Sequence, residues 1–183
     1  MQPKKFWLIK YLNVMNKTGI FYSFSSTKTA KAAEKICEEF EPDFKIQKVN
    51  AEELTEELFL SFTNLILGVP TWFDGELPIY WDEFVPAIED LDLKGKTIAI
   101  YGLGNQVEYP ENFGDAVGIM AELVQERGAK LVGLTSTEGY AYESSRAEIG
   151  DKFMGLVLDQ ETQPRLSKER ISNWVKDLKV QFA

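Results

Sequence analysis

Histidine is absent from this 183-residue chain, and cysteine occurs once, as Cys37. The first absence excludes Ser-His-Asp and Cys-His catalysis, imidazole-ligated metals and histidine proton relays. The second excludes intrachain disulfides, paired redox cysteines and thiolate-rich metal sites. A lone thiol fits a reducing, cytoplasmic setting. Basic residues are also in short supply, 20 against 29 acidic, for a formal net charge of −9. Nucleic acid and anionic membrane surfaces both require a dense Lys/Arg footprint, so neither is expected as a partner. An acidic surface suits instead a partner protein with a basic docking face. No Walker Gly-Lys-Ser/Thr and no GxGxxG is present. Whatever this protein does, it needs a borrowed reactive group or none at all.

What remains is the composition of an ordinary globular domain, 44% hydrophobic and 27% charged. Residues 1–17 stand apart: they carry Lys4, Lys5, Lys10 and Lys17 and no acid. Without them the body holds 16 basic and 29 acidic residues, a net of −13. Lys10 interrupts the apolar run, no small-residue cleavage site follows, and the segment is too short to span a bilayer. Met15 is read as the true start of the product. The alternative is an amphipathic arm that packs on the domain or on a membrane. Residues 18–183 form one domain, without repeats or linkers.

Short apolar runs at 19–24, 44–49, 64–68, 97–102 and 130–134 read as strands, with 156–158 resuming the last. Helical stripes lie between them. Ala30, Ala33, Cys37 and Phe40 share one face, and Cys37 is read as a small packed apolar residue. Leu54 to Leu60 reads as a short helix, whose Glu52, Glu53, Glu56 and Glu57 form a solvated acidic face. Trp81, Phe84, Val85 and Ile88 give one stripe behind Pro78, and residues 113–124 give another. Ile171, Trp174, Val175 and Leu178 mark a final helix with Ser167 as its N-cap. The stretch 135–155 is polar and aromatic, with little period. Five strands alternating with helices imply a parallel sheet covered on both faces. Ligands of such sheets sit beyond the carboxyl ends of the strands.

Three loops follow three strands there. The first, Ser23-Phe24-Ser25-Ser26-Thr27-Lys28-Thr29, offers hydroxyls and free N–H groups at a helix start, with a cation. That is the chemistry of a phosphate cradle, or else of a helix cap with surplus serines. The second, Pro70-Thr71-Trp72-Phe73-Asp74-Gly75-Glu76-Leu77, presents two large aromatics that either fold back on the core or meet a ligand. The third is Gly102-Leu103-Gly104-Asn105-Gln106-Val107-Glu108-Tyr109. Its glycines allow close backbone approach, and Asn105 and Gln106 could read a ring edge; the bland reading is a Gly/Asn turn. Convergence of the three on one sheet edge suggests a planar, phosphorylated cofactor.

The second and third loops, extended by Asn112 and Phe113, closely resemble those of flavodoxins. Thr137-Glu138-Gly139-Tyr140, Gly155-Leu156-Val157-Leu158-Asp159 and Glu169-Arg170-Ile171-Ser172-Asn173-Trp174-Val175 resemble the long-chain branch. The resemblance runs from about Thr18 to the C-terminus. It implies an α/β flavodoxin-like three-layer fold with a five-stranded parallel sheet in the order 2-1-3-4-5. It also implies a monomeric low-potential one-electron carrier with non-covalent FMN, serving a flavodoxin/ferredoxin reductase and acceptor enzymes. The isoalloxazine would lie between Trp72 and Tyr109, touched by Pro70, Thr71, Phe73, Asp74, Gly75, Gly102, Leu103, Gly104, Asn105 and Gln106. Residues after the fifth strand would be the long-chain insertion.

Two features depart from the family: the phosphate loop, whose usual pattern is Ser/Thr-x-Thr-Gly-x-Thr, and the residue at position 105. Phe24 replaces a small hydroxyl residue, and Thr27 stands in place of glycine. At positive φ a β-branched residue would cost about 1–3 kcal/mol. Asn105 stands where an acid commonly faces the flavin pyrimidine edge. Two other readings compete: an FMN-dependent quinone reductase of the same fold, and a cofactor-free interaction domain. A phosphorylated receiver domain would need acids at the ends of strands one and three, where Tyr22 to Ser25 and Leu67 to Val69 stand.

Overall fold

The computed structural model describes residues 17–183, so the reading of residues 1–16 and of Met15 lies outside the described residues. The elements alternate as the pattern predicts. Strand β1 (Thr18–Tyr22) leads to α1 (Lys28–Phe40), then β2 (Ile46–Asn50), a 3-10 turn (Ala51–Glu53) and α2 (Glu56–Leu60). Strand β3 (Asn64–Gly68) precedes α3 (Ile79–Asp82) and α4 (Val85–Asp90); β4 (Thr97–Leu103) precedes α5 (Asp115–Glu126). After β5 (Lys130–Val132) come three two-residue strands, β6 (Thr135–Ser136), β7 (Glu148–Ile149) and β8 (Lys152–Phe153). Strand β9 (Leu156–Leu158) and α6 (Ser167–Gln181) close the chain.

The main sheet has the order β2-β1-β3-β4-β5, all parallel, as expected. Its fifth position is divided. β5 pairs with the first half of β4 (Thr97↔Lys130 to Ala99↔Val132), and β9 with the second half (Tyr101↔Leu156 to Leu103↔Leu158). The residues between them hold the antiparallel sheet β6-β8-β7, which no period in the sequence announces. That segment brings Tyr140, Tyr142 and Phe153 around the Phe113 ring, at centroid distances of 5.5, 5.3 and 6.0 Å.

Side-chain alternation divides the core. Leu65, Leu67, Ile98 and Ile100 face α2 to α5, where Phe59, Phe62, Trp81 and Val117 meet them. Ile66, Ala99 and Tyr101 face α1 and α6, meeting Ile36, Phe40, Trp174 and Leu178. A strand buried on both faces reads as a near-continuous apolar run, and β3 is apolar except for Asn64, whose buried Nδ2 donates to Thr18 Oγ1 and the Phe182 carbonyl at 3.3 Å. Cys37 is buried in this second layer, and burial pushes its thiol up to about 11. No helix among the described residues is long and apolar enough to cross a membrane.

Several local expectations are corrected. The stripe behind Pro78 is two short helices, because Pro86 at the start of α4 has no N–H to continue the first. Ser167 is the first residue of α6 and not its N-cap: the 3-10 turn Pro164–Leu166 runs into the helix with Leu166 in the αR region. Strand β1 stops at Tyr22, since Ser26 N–H turns back onto the Ser23 carbonyl at 3.2 Å. Strand β5 stops at Val132 because Gly133 adopts φ 74°. Thr27 sits at φ −85°, so the strain foreseen for a β-branched residue there does not arise. Glu52, Glu53, Glu56 and Glu57 are all exposed, as expected, but Glu52 is also engaged. It accepts hydrogen bonds from the Ser23 and Ser25 hydroxyls, the latter at 3.1 Å.

Candidate functional site

The parallel sheet carries the ends of β1, β3 and β4 to one edge, and the three loops meet there around an open cleft of about 400 Å³. Ser26, Thr27, Lys28 and Thr29 form one wall, at the start of α1. No side chain among the described residues caps that helix. Its first backbone bond runs from Lys31 N–H to the Thr27 carbonyl at 3.2 Å. The amide donors of residues 27–30 are therefore left for an occupant of the cleft. Uncapped donors at the positive end of a 13-residue helix suit an anion. Lys28 brings a full positive charge but is paired with Glu161 across the mouth.

The loop after β3 is fixed where it leaves the strand. Val69 N–H and Thr71 N–H bond to the Tyr101 and Leu103 carbonyls at 2.8 and 3.1 Å. Ala116 N–H bonds to Thr71 Oγ1 at 3.3 Å. Beyond that point Trp72 and Glu76 exchange two backbone bonds, of 2.9 and 2.8 Å, which closes a tight five-residue hairpin. Closing it places Phe73 at φ 44° and Gly75 at φ 94°. A Cβ at Gly75 would also lie 2.7 Å from Asp115 Oδ2. Phe73 is strained in this conformation and is 72% exposed at the tip. Trp72 presents its indole to the cleft at 37% exposure, packed edge-on against Tyr80.

The third loop is built on side-chain turns. Asn105 Oδ1 accepts from Val107 and Glu108 N–H at 3.1 and 2.9 Å, and its Nδ2 donates to Glu108 Oε2 at 3.2 Å. Tyr109, 45% exposed, lines the same cleft as Trp72. Gly104 is needed for close packing: a Cβ there would fall 2.9 Å from the Phe113 ring and 3.2 Å from Gly114 N. Asn112 Nδ2 donates to the Asp74 carbonyl at 3.2 Å, tying the second loop to the third. A second lobe, lined by Phe73, Asn112 and Phe113, continues the same groove past Trp72 and Tyr109.

The structure thus brings together Ser26, Thr27, Lys28, Thr29, Pro70, Thr71, Trp72, Phe73, Leu103, Gly104, Asn105, Tyr109, Asn112 and Phe113. Others lie behind the walls. Ser23 is buried and Ser25 turned aside by Glu52, while Phe24 packs on the Tyr22 ring at 5.1 Å and is half exposed. Asp74 and Gly75 shape the hairpin, and Gly102 packs beneath, where a Cβ would meet Val69 O at 2.5 Å. Gln106 is corrected from a ring-edge reader to a buried strut. Its amide donates to Thr162 Oγ1 at 3.0 Å and accepts from Ala141 N–H at 2.5 Å.

Sequence reasoning missed three residues on the walls, Tyr80, Gln160 and Glu161. It also missed the device that holds the last two. Asp159, fully buried, accepts from the N–H groups of Gln106, Glu161 and Thr162 at 3.2, 3.0 and 2.8 Å. The only advance signal was an acid directly after an apolar strand. Taken as a whole, the cleft offers an anion cradle at one end and two flanking aromatics at the other. A phosphorylated planar molecule fits that donor set.

Residues 20–174 match the family model described as Flavodoxin. Flavodoxin from Trichodesmium erythraeum is 41% identical over 169 residues, covering 92% of this chain and 99% of the relative. Flavodoxin 1 from Escherichia coli K12 is 37% identical over 162 residues, covering 88% and 92%. Among solved structures, Fusobacterium nucleatum flavodoxin bound to flavin mononucleotide superposes with a TM-score of 0.86 at 34% identity, covering 92% of this chain and all of that one. The match reaches across the sheet, the three loops and the last helix, and this chain belongs to the flavodoxin family.

Proposed function

We propose that this flavodoxin binds FMN non-covalently in the cleft and carries electrons singly between redox proteins, as an electron-transfer protein and not an enzyme. The observation that carries the reading is the pairing, in one groove, of an uncapped helix start with the exposed aromatic side chains of Trp72 and Tyr109. Bound FMN would supply the redox chemistry by taking up and releasing electrons one at a time. The protein's part is binding and electrostatics. Amide donors of residues 27–30 and the hydroxyls of Thr27 and Thr29 would hold the phosphate. Trp72 and Tyr109 would flank the ring and exclude water. The backbone of residues 103–105, approachable because Gly104 has no side chain, would meet its edge.

The exposed Phe73 and Val107 beside the cleft, set in a chain of net charge −9, suit brief docking on basic faces of a reductase and of acceptor enzymes. Such docking weakens with salt. A free, buried thiol at Cys37 fits a monomeric carrier in the cytoplasm. Titrating the flavin-free protein with FMN and with riboflavin, followed by flavin fluorescence, tests the reading. One FMN per chain with quenched emission, held more tightly than riboflavin, is expected. Binding of neither flavin would overturn it.

A further inference from the structure

The cradle is short of hydroxyls on the side where the loop begins. Phe24 has none, Ser23 and Ser25 give theirs to Glu52, and Ser26 Oγ donates to the Ser23 carbonyl at 2.7 Å. A further hydroxyl arrives from a different element. Tyr80, on α3, lines the same cleft as Ser26 and Thr29, and its Oη is buried without any hydrogen-bond partner. An unpaired buried hydroxyl is costly, and native structures leave few of them.

We propose that the Tyr80 hydroxyl is a phosphate ligand, closing the cradle from the α3 side in place of the hydroxyls that residues 23–25 direct elsewhere. Tyr80 shares the cleft wall with Ser26, Thr27, Lys28 and Thr29, the residues of the uncapped helix start. Its electrostatic neighbours are Glu52, which holds the two serines, and the phenol of Tyr101. Tyr101 Oη in turn donates to the Thr29 carbonyl at 3.2 Å, directly beneath the first turn of α1. Burial first, and the Glu52 charge second, hold the Tyr80 phenol far above its ordinary value. It therefore keeps its proton at any neutral pH and acts as a donor, which is what a phosphate oxygen requires. The ring itself packs edge-on against Trp72 at 6.3 Å and tilted against Trp81 at 6.1 Å, so the hydroxyl is delivered by a braced arm.

The inference rests on the FMN reading above, and the experiment separates the two. Tyr80→Phe removes one oxygen and keeps the ring between Trp72 and Trp81. Dissociation constants of the parent and the variant are measured for FMN and for riboflavin, which lacks the phosphate. The expected result is a loss of roughly tenfold or more for FMN, the scale of a hydrogen bond to a charged group, with riboflavin unchanged. Equal losses for both flavins would assign the hydroxyl to the ring or to packing and overturn the inference. Unchanged FMN binding in the variant would overturn it too, leaving the carrier reading intact. A parent protein that takes up neither flavin would overturn that reading, and this inference with it.

Discussion

Asn105 gives a sharp test of how the third loop is held. Replacing it with aspartate keeps the Oδ1 that accepts from Val107 and Glu108 N–H, but turns the Nδ2 donor 3.2 Å from Glu108 Oε2 into a second carboxylate oxygen. Two effects then oppose each other. The two N–H bonds strengthen by roughly 0.5–1 kcal/mol as their acceptor becomes charged. Against that, two unit charges ~4 Å apart in water-like surroundings repel by about 1 kcal/mol, and Glu108 is exposed. Asn105→Asp alone should therefore leave stability within about 1 kcal/mol of the parent. The coupling is what carries information. Glu108→Gln should cost up to about 0.5–1 kcal/mol in the parent, yet stabilise the Asn105→Asp background by about 1. Urea unfolding of the four proteins at pH 7 and low salt measures this cycle. The coupling is a charge effect at an exposed site, so 1 M salt should shrink it. If Glu108→Gln has the same effect in both backgrounds, the Asn105–Glu108 contact does not hold the loop and the reasoning fails. In the flavin-loaded protein, the added negative charge should lower the more negative reduction potential by tens of millivolts.

Two further outcomes follow from buried groups. Asp159→Asn sets an amide donor among three N–H groups that now share a carboxylate, and should cost about 3 kcal/mol. Hydrogen exchange should quicken at Gln106, Glu161 and Thr162 before it does in β3, and uniform quickening would mean that Asp159 is only a packing group. The Cys37 thiol lies at about 11 in the fold, against ~8.5 in an unfolded chain. Its contribution is complete below pH 8.5 and is lost as pH rises toward 11, because the unfolded chain ionises first. Alkylation at pH 8 should accordingly wait for unfolding, and rapid labelling of the native protein would contradict the burial.

The sequence was legible where a residue's role follows from its neighbours along the chain. Strand β3 reads without error because five apolar or sheet-compatible residues run between turn signals, and both faces are buried. The three loops could be found because hydroxyls, glycines and large aromatics directly after strands have few bland uses. Legibility failed where the partner is remote. Tyr80 falls outside the apolar stripe Trp81, Phe84, Val85 and Ile88, and nothing nearby in the sequence says that its hydroxyl stops short of any acceptor. Gln106 reads like Asn105, yet one amide turns out to the groove while the other bonds across to Thr162 and Ala141. Thr27 looked strained only on the assumption that its position requires positive φ; the helix begins early enough to spare it. The insertion around Phe113 has aromatic content but no period, because two-residue strands are too short to show one.

The divided fifth position of the sheet has a consequence for handling the protein. A parallel sheet ends in rows of unpaired backbone groups, which in many proteins recruit a second chain. Here one border consists of two three-residue pieces, β5 and β9, separated by the inserted segment, so no continuous row is on offer. At the other border, β2 exposes Gln47 and Lys48, and Lys48 is paired to Glu34 on α1. Neither rim can template a stranger's strand, and copies of net charge −9 repel one another. Concentrated solutions should therefore stay clear and free of fibrils, even with the cleft's aromatics open to solvent.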